Sequence, residues 1–141
     1  MIPIIIAAHG KLAEELLNSA EMIFGKQENI ETILFVPGEN TEDLKIKYRE
    51  KLEHFKDSKE VLIIVDLFGG SPYNAAFEIA IINEDIDILT GASLPMLLEV
   101  LSIRDDENIR IQDIIETIND SSNSYIRSCK QLQTNITEEE L

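Results

Sequence analysis

The chain has 141 residues, of which 44% are hydrophobic, and this length and composition suit a single folded domain with an ordinary core. Its 12 basic and 27 acidic residues give a formal net charge of −15. This charge argues against nucleic acid or an anionic membrane surface as a direct partner, because both are bound through basic patches. It favours a basic protein as the partner.

Cysteine usage and hydropathy indicate the compartment. Cys129 is the single cysteine, so no internal disulfide can form, which fits a reducing environment. The first apolar run lacks a basic flank and is too short for a signal peptide. No segment approaches the roughly 20 apolar residues of a membrane span. We therefore expect a cytoplasmic protein.

Strand and helix patterns alternate along the chain. Continuous apolar runs bounded by turn residues are typical of strands buried on both faces of a parallel sheet. Four such runs are present: Ile2–Ala8, Ile30–Val36, Val61–Val65 and Ile86–Leu89. Apolar residues at helical spacing follow each run, and a fifth such segment lies near the end of the chain. Their apolar positions are Leu12, Leu16, Ala20, Ile23 and Phe24, then Leu44, Tyr48 and Leu52, then Ala75, Ala76, Ile79 and Ala80, then Met96, Leu97, Val100 and Leu101, and last Ile111, Ile114, Ile115 and Ile118.

This alternation predicts an α/β fold, a single-domain doubly wound parallel sheet with helices on both faces. Right-handed crossovers leave few topologies, of which the flavodoxin-like strand order 2-1-3-4 is common. We expect the domain to span residues 1–135 and an acidic tail to occupy 136–141. The segment Arg104–Asn108 reads as a polar connection, and Tyr125–Gln133 fits a strand or a helix.

Two polar residues end neighbouring strands of this predicted sheet. His9 follows the first strand and Asp66 follows the third, 57 positions later. Adjacent parallel strands lie about 4.8 Å apart, so the two side chains can meet in the crevice where open α/β sheets bind ligands. A carboxylate bonded to one imidazole nitrogen fixes the tautomer and leaves the other nitrogen as an outward-facing nucleophile. We therefore predict His9 and Asp66 as catalytic residues.

A glycine-rich turn adds an anion site to this pair. Free N–H groups at helix N-termini attract anions, and helices begin directly after His9-Gly10 and after Gly69-Gly70. The glycines let the backbone approach a ligand closely, and the hydroxyl of Ser71 adds a donor. We predict that Gly10, Gly70 and Ser71 bind a phosphoryl-sized anion beside the imidazole.

Other chemistries fit less well. The chain has neither the P-loop nor the dinucleotide-binding pattern, and one histidine with one aspartate leaves a metal incompletely coordinated, so no metal site is predicted. Ser71 lacks the Gly-x-Ser-x-Gly elbow of hydrolases. A response regulator phosphorylated on Asp66 would need an acidic pair where this chain has Ala8-His9. His54 lies in a charged helical stretch, and Tyr73 and Phe77 are expected to be packing residues.

Several blocks of sequence carry a family resemblance. They are Ala8-His9-Gly10, Phe35-Val36-Pro37-Gly38-Glu39-Asn40, Val65-Asp66-Leu67-Phe68-Gly69-Gly70-Ser71-Pro72 with Asn74-Ala75-Ala76, and Leu94-Pro95-Met96-Leu97 with Arg104-Asp105-Asp106. In this order and spacing the chain resembles the enzyme IIA component of the mannose (mannose–fructose–sorbose) family of the bacterial phosphoenolpyruvate-dependent sugar phosphotransferase system. The likeness runs from the first strand to about Ile118.

The resemblance implies a phosphocarrier that needs no cofactor. His9 would accept a phosphoryl group from the carrier protein HPr and pass it to enzyme IIB, which serves the membrane subunits IIC and IID. Asp66 would orient the ring, while Gly70 and Ser71 would help to hold the phosphate. Leu67 and Phe68 flank the site and are expected to tune partner choice.

The resemblance also implies a homodimer in which a C-terminal element, an extra edge strand, is exchanged between subunits. Because the chain ends at Leu141 without a linker and a IIB domain, IIB is expected on a separate polypeptide, and any membrane association is expected to be peripheral. Two alternatives stay open: a IIA-like phosphocarrier subunit of a dihydroxyacetone kinase, and a regulatory module that reports sugar flux.

Overall fold

The computed structural model describes residues 1–132, and its centre is a four-stranded parallel sheet. The strand order is β2-β1-β3-β4, which confirms the order predicted from the sequence. The strands are β1 (Ile4–His9), β2 (Ile30–Phe35), β3 (Val61–Val65) and β4 (Ile86–Leu89). Their apolar side chains are buried on both faces of β1 and β3, as expected for central strands covered by helices on each side.

Within residues 1–132, five α-helices cover the two faces of the sheet. The helices are α1 (Leu12–Phe24), α2 (Thr41–His54), α3 (Ser71–Ala80), α4 (Leu94–Ile103) and α5 (Ile111–Ser121), followed by a 3₁₀ turn at Ser122–Ser124. Alternate residues of β1 divide the core: Ile4 and Ile6 pack with α1, α4 and α5, whereas Ile5 and Ala7 pack with α2 and α3. The fold is therefore a three-layer α/β domain.

Local sequence signals set the helix boundaries. The Asn40 side chain accepts a hydrogen bond from the backbone N–H of Asp43, and the Asp43 carboxylate accepts one from the backbone N–H of Asn40, which forms a capping box at the start of α2. Ser93 caps α4 in the same sense, through Met96 N–H. Gly25 ends α1 with a φ of +83°, a conformation that glycine adopts at no steric cost.

The register of β1 positions the end of this strand between two others. Ala7 pairs with Val65, the last residue of β3. Asp66, which follows Val65, therefore lies close to the end of β1. On the opposite side, His9 pairs with Phe35 of β2. The carboxyl end of β1 is thus flanked on both sides by residues of neighbouring strands.

The polar connection expected at Arg104–Asn108 lies between α4 and α5, but its first residue, Arg104, is buried. Its side chain is fully buried, and its guanidinium donates hydrogen bonds to the backbone oxygens of Ile2, Glu28 and Asn29 and to the side chain of Gln27, at 2.7–3.2 Å. Burial lowers the pKa of this group, an effect that Asp105 partly opposes. Arg104 therefore ties α4 to the start of β1 and to the loop before β2. An arginine next to acidic residues gave no sign of this burial in the sequence.

Several apolar side chains that follow helical spacing are exposed. Ile23 and Phe24 of α1 are 56% and 47% exposed, and Phe77 of α3 is 45% exposed. Phe77 packs against Tyr73 as expected, with 6.0 Å between the ring centroids, but it does so at the surface and not in the core. Among residues 1–132, the structure contains no helix with the length and apolarity that a membrane crossing requires.

The expected exchanged strand stays a prediction. Between residues 125 and 132 the chain forms no strand, and residues 129–132 are helical. The last positions of the domain and the acidic tail at 136–141 lie outside the described residues. Within the described part, β4 is an edge of the sheet, paired only with β3.

Replacing the buried guanidinium tests the structural role of Arg104. We expect Arg104→Met to lower the free energy of unfolding by about 2–4 kcal/mol, because buried carbonyl groups lose their donors. Arg104→Lys keeps a cation and some hydrogen-bond donors, so its free energy of unfolding should fall by less. The measurement is urea denaturation, with Arg49→Met at an exposed position of α2 as the control. Equal stability of the Arg104→Met and Arg49→Met variants would contradict this role.

Candidate functional site

The site is built at the carboxyl ends of β1 and β3. His9 ends β1, and Asp66 follows β3 directly. Because the sequence places these strands side by side, the two side chains approach as predicted: the imidazole Nδ1 lies 2.7 Å from Asp66 Oδ2. The same carboxylate oxygen accepts the backbone N–H of His9 at 3.0 Å. One carboxylate therefore holds both the ring and the backbone of His9.

The carboxylate of Asp66 is itself held firmly. Its second oxygen, Oδ1, accepts the backbone N–H of Leu67 at 3.0 Å. The Asp66 side chain is 9% exposed, whereas the His9 side chain is 49% exposed. Hydrogen bonds from backbone N–H groups stabilise the ionised form of a carboxylate. An ionised Asp66 accepts but does not donate, so Nδ1 of His9 carries the proton.

This assignment decides which imidazole nitrogen can react. With the proton on Nδ1, the lone pair of the neutral ring lies on Nε2. Nδ1 is occupied by Asp66, so Nε2 is the nitrogen left to act as a nucleophile. The arrangement can therefore take up an electrophilic group at Nε2 while the carboxylate balances the positive charge that develops on the ring.

Two further residues restrict the imidazole. The ring of Phe35 meets it edge-on, with 5.4 Å between centroids and an interplanar angle of 77°. On the other side lies Gly70, where an added Cβ would come within 3.2 Å of His9 Cε1. A larger residue at position 70 would push against the ring, so this glycine permits close approach of the backbone. The imidazole is thus confined between β2 and the start of α3.

Gly70 and Ser71 are placed to bind an anion through their backbone N–H groups, whereas Gly10 is not. Gly70 is the N-cap of α3 and Ser71 is its first residue, and no side chain caps this helix end. Its backbone N–H groups are therefore free to bind an anion near His9. Gly10 adjoins the imidazole, but its N–H donates to Phe35 O at 2.8 Å. Gly10 contributes through its backbone conformation, with a φ of +60°, rather than through a free amide.

The glycine turn before α3 is stabilised by side-chain hydrogen bonds of Asn74 and Tyr48 that the sequence did not predict. Asn74 donates from its side chain to Gly69 O at 3.2 Å, and its backbone N–H bonds Gly70 O at 2.8 Å. Tyr48 of α2 donates its hydroxyl to Pro72 O at 2.7 Å. The need of any buried tyrosine hydroxyl for a partner was the signal in the sequence, but it did not identify the acceptor.

Two exposed apolar side chains follow Asp66 directly in the chain. Leu67 and Phe68 are 49% and 72% exposed, and the ring of Phe68 contacts that of Tyr73, with 4.7 Å between centroids. His54, the second histidine, lies on α2 and pairs with Glu31 at 2.8 Å. It takes no part in this site. In residues 1–132 no group of three or more His, Cys, Asp or Glu side chains is placed to hold a metal ion.

Comparison with known proteins assigns the chain to a family. A family model described as "PTS system fructose IIA component" matches residues 3–119. The chain is 48% identical over 106 residues to the mannose-specific EIIAB component of Escherichia coli strain K12, an alignment that covers 75% of this chain and 33% of that protein. The chain thus spans about a third of the length of this relative. It is 37% identical over 131 residues to the fructose-specific EIIA component of Bacillus subtilis strain 168, which covers 93% of this chain and 88% of that protein.

A solved structure agrees with the sequence comparison. The phosphotransferase system component EIIA from Streptococcus agalactiae superposes with a TM-score of 0.84 at 32% identity, covering 93% of this chain and 99% of that one. The match to the family model extends over all four strands and most of α5. On this sequence and fold evidence, the chain belongs to the mannose–fructose–sorbose family of IIA components of the sugar phosphotransferase system.

Proposed function

We propose that this protein is a phosphocarrier that accepts a phosphoryl group on Nε2 of His9 from HPr and passes it to enzyme IIB. The observation that carries this proposal is the 2.7 Å contact between His9 Nδ1 and Asp66 Oδ2, which leaves Nε2 as the reactive nitrogen. Membership of the IIA family supports the choice of a phosphoryl group as the electrophile. Homodimer formation, as implied by the family likeness, is part of the same proposal.

The chemical step needs no external base. The Nε2 lone pair attacks the phosphorus of the phosphohistidine on HPr, the N–P bond of the donor breaks, and a new N–P bond forms on His9. Because Nδ1 keeps its proton throughout, the phosphorylated ring carries a positive charge that Asp66 stabilises. In the second transfer, a histidine of IIB attacks the same phosphorus, the N–P bond on His9 breaks, and Nε2 recovers its lone pair. Each transfer breaks one N–P bond and forms another, so the group can move in either direction, as a carrier requires.

The start of α3 supplies the positive potential for the transferred group. The N–H groups of Gly70, Ser71 and Tyr73 belong to the uncapped first turn, and the helix dipole adds to their attraction for a phosphoryl group. α3 has no acidic residue in its first turn to compete with such an anion. These donors stabilise the transferring group where charge develops, which is the usual role of preorganised backbone amides.

The surroundings of His9 suit a protein partner. Leu67 and Phe68, which follow Asp66 directly in the chain, present exposed apolar surface, and the chain carries a net charge of −15. Exposed apolar side chains on a strongly acidic protein favour partners that combine apolar and basic surface. These features support docking of carrier proteins. No observation favours the dihydroxyacetone kinase subunit or the purely regulatory module over sugar transport.

Phosphorylation of His9 is tested by removing its imidazole. After incubation with phosphoenolpyruvate, enzyme I and HPr, we expect acid-labile, base-stable phosphate on the unsubstituted protein and none on His9→Gln, because the nucleophile is gone. His54→Gln is the matched control, since His54 also pairs with a carboxylate through Nδ1. We expect it to label fully. Full labelling of His9→Gln would overturn the proposal, and transfer of the label to purified IIB tests its second half.

The role of Asp66 is tested by replacing its charge with an amide. Asp66→Asn keeps the shape of the side chain but removes the negative charge that balances the phosphorylated ring. We expect phosphoryl transfer from HPr to slow by about 10- to 100-fold, the usual effect of losing a charged hydrogen bond. Stopped-flow or quench-flow transfer rates provide the measurement, and Glu31→Gln provides a control at the His54 pair. A rate equal to that of the unsubstituted protein would remove Asp66 from the mechanism.

A further inference from the structure

Tyr48 connects α2 to the start of α3 from within the core. Its side chain is fully buried, and its hydroxyl donates to the carbonyl oxygen of Pro72 at 2.7 Å, 24 residues along the chain. Burial raises the pKa of this hydroxyl, and the negative charge of Asp66 raises it further. Because a carbonyl oxygen only accepts hydrogen bonds, the hydroxyl of Tyr48 is the donor in this contact.

The acceptor of this hydrogen bond lies at the anion-binding end of α3. Pro72 is the second residue of the helix, two positions after Gly70, whose backbone lies against the imidazole of His9. The carbonyl of Pro72 shares one planar peptide unit with the N–H of Tyr73. Fixing the carbonyl therefore fixes the direction of this N–H as well.

The N–H of Tyr73 is one of the few donors available at this helix end. The first intrahelical bond of α3 is donated by Asn74 to Gly70 O, so the earlier N–H groups have no acceptor within the helix. Pro72 has no N–H at all, which leaves Gly70, Ser71 and Tyr73 as the donors. A hydrogen bond to the carbonyl also polarises the peptide unit and strengthens its N–H as a donor.

We propose that Tyr48 is a positioning residue for phosphoryl transfer, which acts by holding the Pro72–Tyr73 peptide so that its N–H points at the group carried by His9. This inference rests on the proposed function, because it assumes that a phosphoryl group is bound at the start of α3. Tyr48 does not touch His9 in this scheme. Its effect passes through the backbone of α3, and the fully buried hydroxyl is the only polar atom that the side chain contributes.

The test removes the hydroxyl and keeps the ring. In Tyr48→Phe we expect kcat for transfer from phosphorylated HPr to fall about 3- to 10-fold with an unchanged KM, because donor orientation is lost while the partner surface stays intact. Tyr125→Phe is the matched control. It loses a hydroxyl hydrogen bond of 2.6 Å to Glu99, outside the site, and should transfer at the normal rate. Circular dichroism corrects each rate for the folded fraction.

An NMR readout separates positioning from general stability. On phosphorylation of His9, the amide proton of Tyr73 should shift downfield in the unsubstituted protein and in Tyr125→Phe, and by much less in Tyr48→Phe. Equal shifts and equal kcat in the two variants would overturn the inference and leave the proposed function intact. A rise in KM alone would also overturn it, because the effect would then lie in docking. Failure of the unsubstituted protein to take phosphate on His9 would instead overturn the proposed function, and this inference with it.

Discussion

The hydrogen bond between His9 Nδ1 and Asp66 Oδ2 is the interaction on which the site depends. It exists because β1 and β3 are neighbours although α1, β2 and α2 lie between them in sequence. The change of winding direction at this point opens the crevice in which α/β sheets bind ligands. A sheet in sequential order would place β2 between the two residues. The topology therefore determines the tautomer of His9, and the tautomer determines which nitrogen can react.

Helix α2 supports this arrangement through hydrogen bonds to the elements beside the site. Lys47 donates to Leu34 O at 2.7 Å and pairs with Glu39, which in turn accepts the N–H of Val36. The next residue, Tyr48, bonds the first turn of α3. Lys47 and Tyr48, adjacent residues of one helix, thus stabilise the end of β2 with the loop that follows it and the first turn of α3. Such buried or half-buried contacts fix the geometry that a site needs before its partner arrives.

Much of the fold can be predicted from the local pattern of apolar and turn residues. The features that could not be predicted are set by individual hydrogen bonds. The runs at Val61–Val65 and Ile86–Leu89 are strands with the predicted boundaries. Short, continuous apolar runs between turn residues are typical of buried strands. The pairing of His9 with Asp66 followed from strand order alone. Burial of Arg104 did not, since a cation in an acidic segment is exposed in most proteins and only the converging carbonyl groups make its burial favourable. The hydrogen bond from the Gly10 N–H to Phe35 O could not be predicted either, because the partners of single backbone groups have no sequence signature.

We propose that Asp66 holds the proton on Nδ1 of His9 and leaves Nε2 to carry the phosphoryl group. Nitrogen-15 NMR of histidine-labelled protein, before and after phosphorylation by HPr, measures this directly. We expect a neutral His9 ring with its proton on Nδ1, and a phosphorylated ring with phosphorus coupled to Nε2. A neutral ring protonated on Nε2, or phosphate bonded to Nδ1, would contradict it.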